Sequence, residues 1–179
     1  MGVSGGDFHI RPLDPAEAPL AASALSEWMT QAFSGTLPQA VVNAFTLERS
    51  QKRLSAPALT LSAWADRAVG PELVGLGQAE GCEITMLYTA PEHQGTGVGK
   101  AIFDRLLDAI ANDGHEQAEL VVLVINEGAR RFYERQGGQI LQDDTVHLAG
   151  HDLPHIRYVF PITPAHRKTA DPGGSTVFE

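Results

Sequence analysis

The 179-residue chain is predicted to form an α/β fold: a mixed, mostly antiparallel sheet built around one parallel strand–helix–strand unit. Three observations predict it. The runs LTLSAWA, ELVGLGQAE and ITMLYTA are short, apolar or alternating, and separated only by turn residues, as in an antiparallel meander. Leu120 to Ile125 is an uninterrupted apolar run rich in β-branched residues and too short for a helix, which reads as a strand buried on both faces. Helical segments near 97–112 and 127–136 flank that run. The unit they make with the preceding strand is therefore expected to be parallel, with a right-handed crossover.

Taken in order, DFHIRPL alternates apolar and polar residues and is ended by Pro12 and Pro15, so the first element is a short strand. Residues 16–54 are rich in Ala, Leu, Gln and Glu, with SGTLP in the middle, and read as one helix near 16–32 and another near 38–53. The three meander strands follow. The helix of 97–112 stops at Asp113-Gly114, and the helix of 127–136 stops at Gly137. Two strands, near 139–148 and 155–161, close the fold. Residues 1–163 read as a single domain, and the polar, Pro/Gly-rich 164–179 as a loosely packed tail.

The balance of 22 acidic against 13 basic residues, a net charge of −9, runs against nucleic-acid binding. It favours cationic small molecules or basic peptides as partners. A lone cysteine, Cys82, can form no internal disulfide, which fits a reducing compartment. No apolar run approaches the ~20 residues of a membrane span. The opening residues lack the features of a signal peptide, and Gly6 stands where a myristoylation signal needs Ser or Thr. The expected location is the cytoplasm, with no membrane or nucleic-acid partner; a homodimer is left open.

The segment QGTGVGK, Gln94 to Lys100, places three glycines at a helix start. Such a turn lets a large anion approach backbone N–H groups that have no helical partner. It is not a P-loop, because Ala101 follows Lys100 and Gln94 stands five positions before Gly99. The dinucleotide fingerprint also fails, since the third glycine would fall on Lys100 or Ile102. The spacing that fits is Gln-x-x-Gly-x-Gly: Gln94, Gly97, Gly99. With EITMLYTAPEHQG before it and NEGARRFYERQGG after it, the sequence resembles the GNAT superfamily of acyl-CoA-dependent N-acetyltransferases over about residues 83–138. Two positions depart from the family pattern. Thr89 stands where valine is usual. Gly138 stands where an aromatic is usual, which is expected to alter packing on the acceptor side.

The resemblance implies the GNAT fold, acetyl-CoA as co-substrate, no metal, and a splay between the two middle strands, usually made by a bulge. Gln94, Gly95, Thr96, Gly97, Val98, Gly99 and Lys100 would wrap the pyrophosphate, Lys100 either adding charge or standing in solvent. Leu87, Tyr88 and Thr89 would lie along the pantetheine arm, where a free N–H near the thioester can stabilise an oxyanion. Asn126 would contact the arm, cap the next helix, or do both. Tyr133 would protonate the leaving thiolate. Ala129, Phe132, Tyr133 and Gln136 share one face of that helix; on the other, Glu127–Arg131 and Arg130–Glu134 can pair.

An attacking amine must be neutral, so a base is expected: Glu83 first, Glu80 second. The same carboxylates could simply hold a cationic amine. His147, His151 and His155 recur every four residues but are interrupted by Gly150 and Pro154, which favours pocket lining or a hairpin over a metal stripe. Trp28, Phe33 and Phe45 are candidates for the acceptor pocket or for plain core. The implied activity is transfer of acetyl from acetyl-CoA to a primary amine, on a small molecule or a peptide, by direct attack in a ternary complex. The alternatives are a non-catalytic acyl-CoA-binding module on the same fold and a transferase of longer acyl chains.

Overall fold

A computed structural model describes residues 8–163 and residue 166. The opening segment and the rest of the expected tail lie outside the described residues. The elements run β1 (Phe8–Pro12), α1 (Ala18–Phe33), α2 (Gln39–Val42), α3 (Leu47–Leu54), β2 (Leu59–Ala65), β3 (Glu72–Glu80), β4 (Glu83–Thr89), α4 (Val98–Asn112), β5 (Gln117–Leu123), α5 (Glu127–Arg135), β6 (Gln139–Leu148) and β7 (His151–Pro161). The strands form one sheet in the order β1-β2-β3-β4-β5-β7-β6. Every neighbouring pair is antiparallel except β4–β5, the expected parallel unit.

Helices cover both faces. On one face α4 and α5 bury Ile102, Phe103, Leu106, Ile110 and Tyr133 against β3, β5 and β7. Each large side chain removed from water there contributes about 1.5–3 kcal/mol before chain entropy is charged. On the other face α1 packs Leu25 and Trp28 on Trp64, Leu76 and Met86. A third cluster ties Phe33 and α2 to Leu153 of β7. The central strand β3 is thus buried on both faces. Its glycines permit close approach: a Cβ at Gly77 would stand 2.4 Å from Ile102 Cγ2, and one at Gly75 2.7 Å from Ile102 Cδ1.

The structure departs from the sequence reading in several places, the last strand among them, which begins at His151 rather than near 155. The single helix expected near 38–53 is two, because Thr46 is extended and its hydroxyl caps α3 by accepting from Arg49 N–H. The strand expected at 120–125 starts at Gln117 and ends at Leu123; Leu120 and Val122 are buried, whereas Val121 is 43% exposed. One face of β5 lies open, beside the site described below. Arg130 and Glu134 do not pair: Arg130 donates to the Val124 carbonyl, and Glu134 accepts from the Tyr158 hydroxyl. Finally, Gly138 sits just after α5, against Phe160 of β7. A Cβ there would meet the Phe160 ring at 2.8 Å and the Tyr133 carbonyl at 3.0 Å, so Phe160 fills the room an aromatic would need.

The β6–β7 hairpin turns on Ala149 and Gly150, both at positive φ, as a two-residue loop of this kind requires. His147 pairs across the hairpin with Asp152, while His151 and His155 are offset from it by odd steps and face the other side of the sheet. The three histidines therefore do not converge.

Candidate active site

The parallel pair β4–β5 is joined at one register position, Glu83 opposite Glu119, with Glu119 N–H donating to the Cys82 carbonyl at 2.9 Å. Beyond that point the strands diverge. The β3–β4 register slips between Gln78 and Ala79, leaving Thr85 as an extra residue on β4. Side-chain direction confirms the bulge. Ile84 packs in the α4-side core and Met86 in the α1-side core, although residues two apart on a regular strand share a face. The bulge is held from behind. Arg53 Nη1 donates to the Thr85 carbonyl at 2.7 Å, and the Thr85 hydroxyl donates to Gln78 Oε1 at 3.0 Å. Gln78, 2% exposed, donates in turn to Thr60 and to the Arg53 carbonyl.

The splay opens toward the glycine turn. Gly95 and Gly97 have φ of 77° and 95°, backbone that only glycine adopts without strain. Gly99 is close-packed instead: a Cβ there would meet Thr89 Oγ1 at 3.1 Å. The first helical bond of α4 runs from Ala101 N–H to the Gly97 carbonyl, so the N–H groups of Val98, Gly99 and Lys100 precede the helical ladder. The Thr96 hydroxyl braces the turn on the His93 carbonyl at 2.6 Å. Lys100 bonds Asp104 at 2.6 Å and stays largely solvated.

Three cavities line up through the sheet. One, of about 400 Å³, is bounded by Thr89, Gln94, Gly95, Gly97, Gly99, Lys100 and Arg135. It shares Leu87, Asn126, Ala129 and Tyr133 with a second, of about 260 Å³, that occupies the splay between β4 and β5. The second shares Met29, Phe45, Arg53 and Thr85 with a groove of about 550 Å³ between α3, α1 and β3. Asn126 caps α5, its side chain accepting from Ala129 N–H at 3.1 Å, while the same residue borders the two inner cavities. Both sequence readings of Asn126 are thus compatible.

Tyr133 is 7% exposed and borders both inner cavities. Burial raises its phenol above the ordinary value, with the neighbouring Tyr88 adding to the rise. Burial likewise raises Tyr88, opposed by Arg53. No hydrogen-bond partner reaches the Tyr133 hydroxyl among the described residues, which leaves a protonated donor on a residue that lines the splay.

The remaining candidates divide. Phe33 and Phe45, with ring centroids 5.6 Å apart, border the splay, whereas Trp28 is core. Glu80 borders the outer groove. Glu83 sits at the closed end of the splay, 3.9 Å from Arg157, which also pairs with Glu119 at 3.1 Å, and it borders none of the three cavities. Cys82 is half-buried at the β3–β4 turn and packs against the α4-side core. Sequence reasoning missed the Gln78–Thr85–Arg53 brace and the cations of α3. The brace left no local signal. The cations did, as Arg49, Lys52 and Arg53 at helical spacing.

A splayed parallel pair beside a glycine turn at a helix N-terminus defines a class of fold whose cleft passes through the sheet. The sequence model of the acetyltransferase (GNAT) family matches residues 23–138, and the chain belongs to that family. An uncharacterized N-acetyltransferase of Mycobacterium tuberculosis is 32% identical over 85 residues, 48% of this chain and 54% of that protein. The chain thus spans about half the length of the curated relatives it matches. Among solved structures, a GCN5-related N-acetyltransferase from Rhodopseudomonas palustris superposes with a TM-score of 0.72 at 23% identity, covering 86% of this chain and 94% of the other. PaiA N-acetyltransferase from Thermoplasma acidophilum, solved in complex with coenzyme A, does so at 0.67 and 18%, covering 84% and 98%. These likenesses show the same fold.

Proposed function

We propose that the protein transfers an acetyl group from acetyl-CoA to a primary amine. The observation that carries this reading is the row of adjoining cavities, each sharing lining residues with the next, from the glycine turn through the splay beside Tyr133 to the outer groove. The residues fit the cofactor. Three N–H groups ahead of the α4 ladder, with the positive helix end, suit a pyrophosphate. The facing edges of β4 and β5 expose unpaired backbone groups that an amide-bearing arm can join like an added strand.

Acetyl-CoA would supply the acyl group as a thioester: the neutral amine forms the C–N bond, the C–S bond breaks, and the thiolate leaves. The chain's part is to orient and to move protons. The bulge at Thr85 breaks the regular direction of β4 beside the splay, which would free a backbone N–H for the developing oxyanion. Tyr133 gives its proton to the thiolate; burial keeps the phenol protonated, so the proton is there to give, and also makes it the weaker acid. A module that only bound acyl-CoA would have no need of a proton donor at this position. The amine proton leaves by one of two carboxylates: Glu80 directly from the groove, or Glu83 through water.

Coenzyme A at 100 times its dissociation constant should stabilise the fold by ~2.7 kcal/mol. Absence of a thermal shift at millimolar coenzyme A sinks the reading, and an equal shift from ATP or NAD redirects it. Free-thiol release with a panel of amines then tests turnover. Glu80→Gln and Glu83→Gln separate the two proton routes. The variant lacking the base should lose activity at neutral pH and recover it as pH rises and more amine is already neutral. A variant with an unchanged pH–rate profile clears that residue of the role.

A further inference from the structure

The outer groove carries the opposite charge to the molecule. Arg49, Lys52 and Arg53, at i, i+3 and i+4 on α3, all border it. Among the described residues none has a carboxylate within 4.0 Å. By contrast Arg11, Arg67, Lys100, Arg131 and Arg157 are each ion-paired. Glu80 is the one carboxylate among the groove's lining residues. Arg53 spends one N–H on the Thr85 carbonyl, and Arg49 makes a 3.5 Å contact to the Ala44 carbonyl, so each guanidinium keeps most of its five donors. Between these cations and the splay the wall is apolar, formed by Met29 and Phe45.

The cations are not placed for coenzyme A. The groove shares no lining residue with the cavity at the glycine turn, and the splay separates the two. In a chain of net charge −9, a three-cation face with no acidic partner among the described residues, beside the splay, has a use for an anion.

We infer that the acceptor bears an anionic group, a carboxylate or a phosphate, on the same small molecule as its amine. The Arg49–Lys52–Arg53 face holds that group while the amine reaches into the splay. This rests on the acetyl-transfer reading and narrows it. It replaces the expectation of a purely cationic acceptor, because net charge averages over a surface and the groove is a local exception. Arginine forks suit either oxyanion, and bidentate pairing sets the direction in which the molecule lies.

Two matched pairs of amines test the proposal on protein saturated with coenzyme A. They are L-phenylalanine against phenethylamine and O-phosphoethanolamine against ethanolamine. Calorimetry measures binding, and thiol release with acetyl-CoA measures turnover. In at least one pair the acid-bearing member should bind roughly tenfold or more tightly than its acid-free partner, the worth of a hydrogen bond to a charged group. The pair in which this holds tells carboxylate from phosphate. In the Arg49→Gln/Lys52→Gln double variant that advantage should shrink to about twofold or less; both side chains are exposed, so a native circular dichroism spectrum is expected. Equal or weaker binding of both acid-bearing members, no binding of either, or an advantage that survives the double substitution would overturn the proposal. Acid-selective binding without thiol release from any amine would keep the anion site and remove the acetyl-transfer reading.

Discussion

At the scale of single residues, the site depends on groups whose chemistry is set by what surrounds them. Tyr133 is the clearest case. Its ring is wedged among Phe103, Phe132 and Phe160, with centroid separations of 5.8, 5.1 and 6.1 Å, and the residue lines the splay. Tyr133→Phe keeps the ring and removes the proton. Turnover should fall about 10²–10⁴-fold, the usual worth of general acid catalysis, with far less change in the Michaelis constant for acetyl-CoA. The sign of its pH dependence follows from the raised pKa. The acid form is retained through the alkaline range, so Tyr133 introduces no falling limb below the ordinary phenol value of ~10. The same shift stabilises the fold below ~pH 10, and that contribution is lost as pH climbs through the folded value. A Phe variant with near-full turnover would make Tyr133 a packing residue.

At the scale of elements, the contact that positions the site is α4 on β3. The turn can face the splay only if α4 lies close over the sheet, and Gly75 and Gly77 remove the side chains that would hold it away. Gly77→Ala would set a methyl 2.4 Å from Ile102 Cγ2 and 3.0 Å from Leu106 Cδ1. Cγ2 is bonded directly to Cβ and cannot swing aside without a change of rotamer in a filled core, so the helix must shift. The expected cost is about 1–3 kcal/mol, seen as a Tm lower by several degrees. A smaller thermal response to coenzyme A should accompany it, since the turn moves with the helix. Unchanged Tm would mean the packing yields more readily than these distances imply. The bulge is a second such device, maintained by Gln78 and Arg53, which reach Thr85 from two different elements.

At the scale of the whole molecule, adjoining cavities lead from the glycine turn through the splay to the groove beside α3. On the proposed reading, acetyl-CoA and the amine would enter from opposite faces and meet at the splay, without exchanging places. Initial-rate plots against acetyl-CoA and amine should intersect, as for a ternary complex. Parallel lines, together with an acetylated protein trapped in the absence of amine, would instead point to an acyl-enzyme. Cys82, the single thiol, lies away from the cavities and packs on the α4-side core, which makes that outcome unexpected. Among the described residues no helix is long and apolar enough to cross a membrane.

The sequence by itself determined the order of elements, the parallel middle unit and the glycine turn, because each is written in contiguous residues. Periodicity, β-branching and Gln94-x-x-Gly97-x-Gly99 need no knowledge of distant chain. Asn126 as a cap and Tyr133 on the inner face of its helix were legible for the same reason. What only the tertiary structure decided was where residues far apart in the chain meet. The split of the second helix at Thr46 and the extra residue at Thr85 needed the fold. So did the open face of β5 and the exclusion of Glu83 from the cavities. The basic groove needed it most. It joins Met29, Phe45, Arg49, Arg53 and Thr85 from four parts of the chain. Total charge pointed the other way, because a net charge is a sum, whereas the potential inside a groove is set by the few groups that line it.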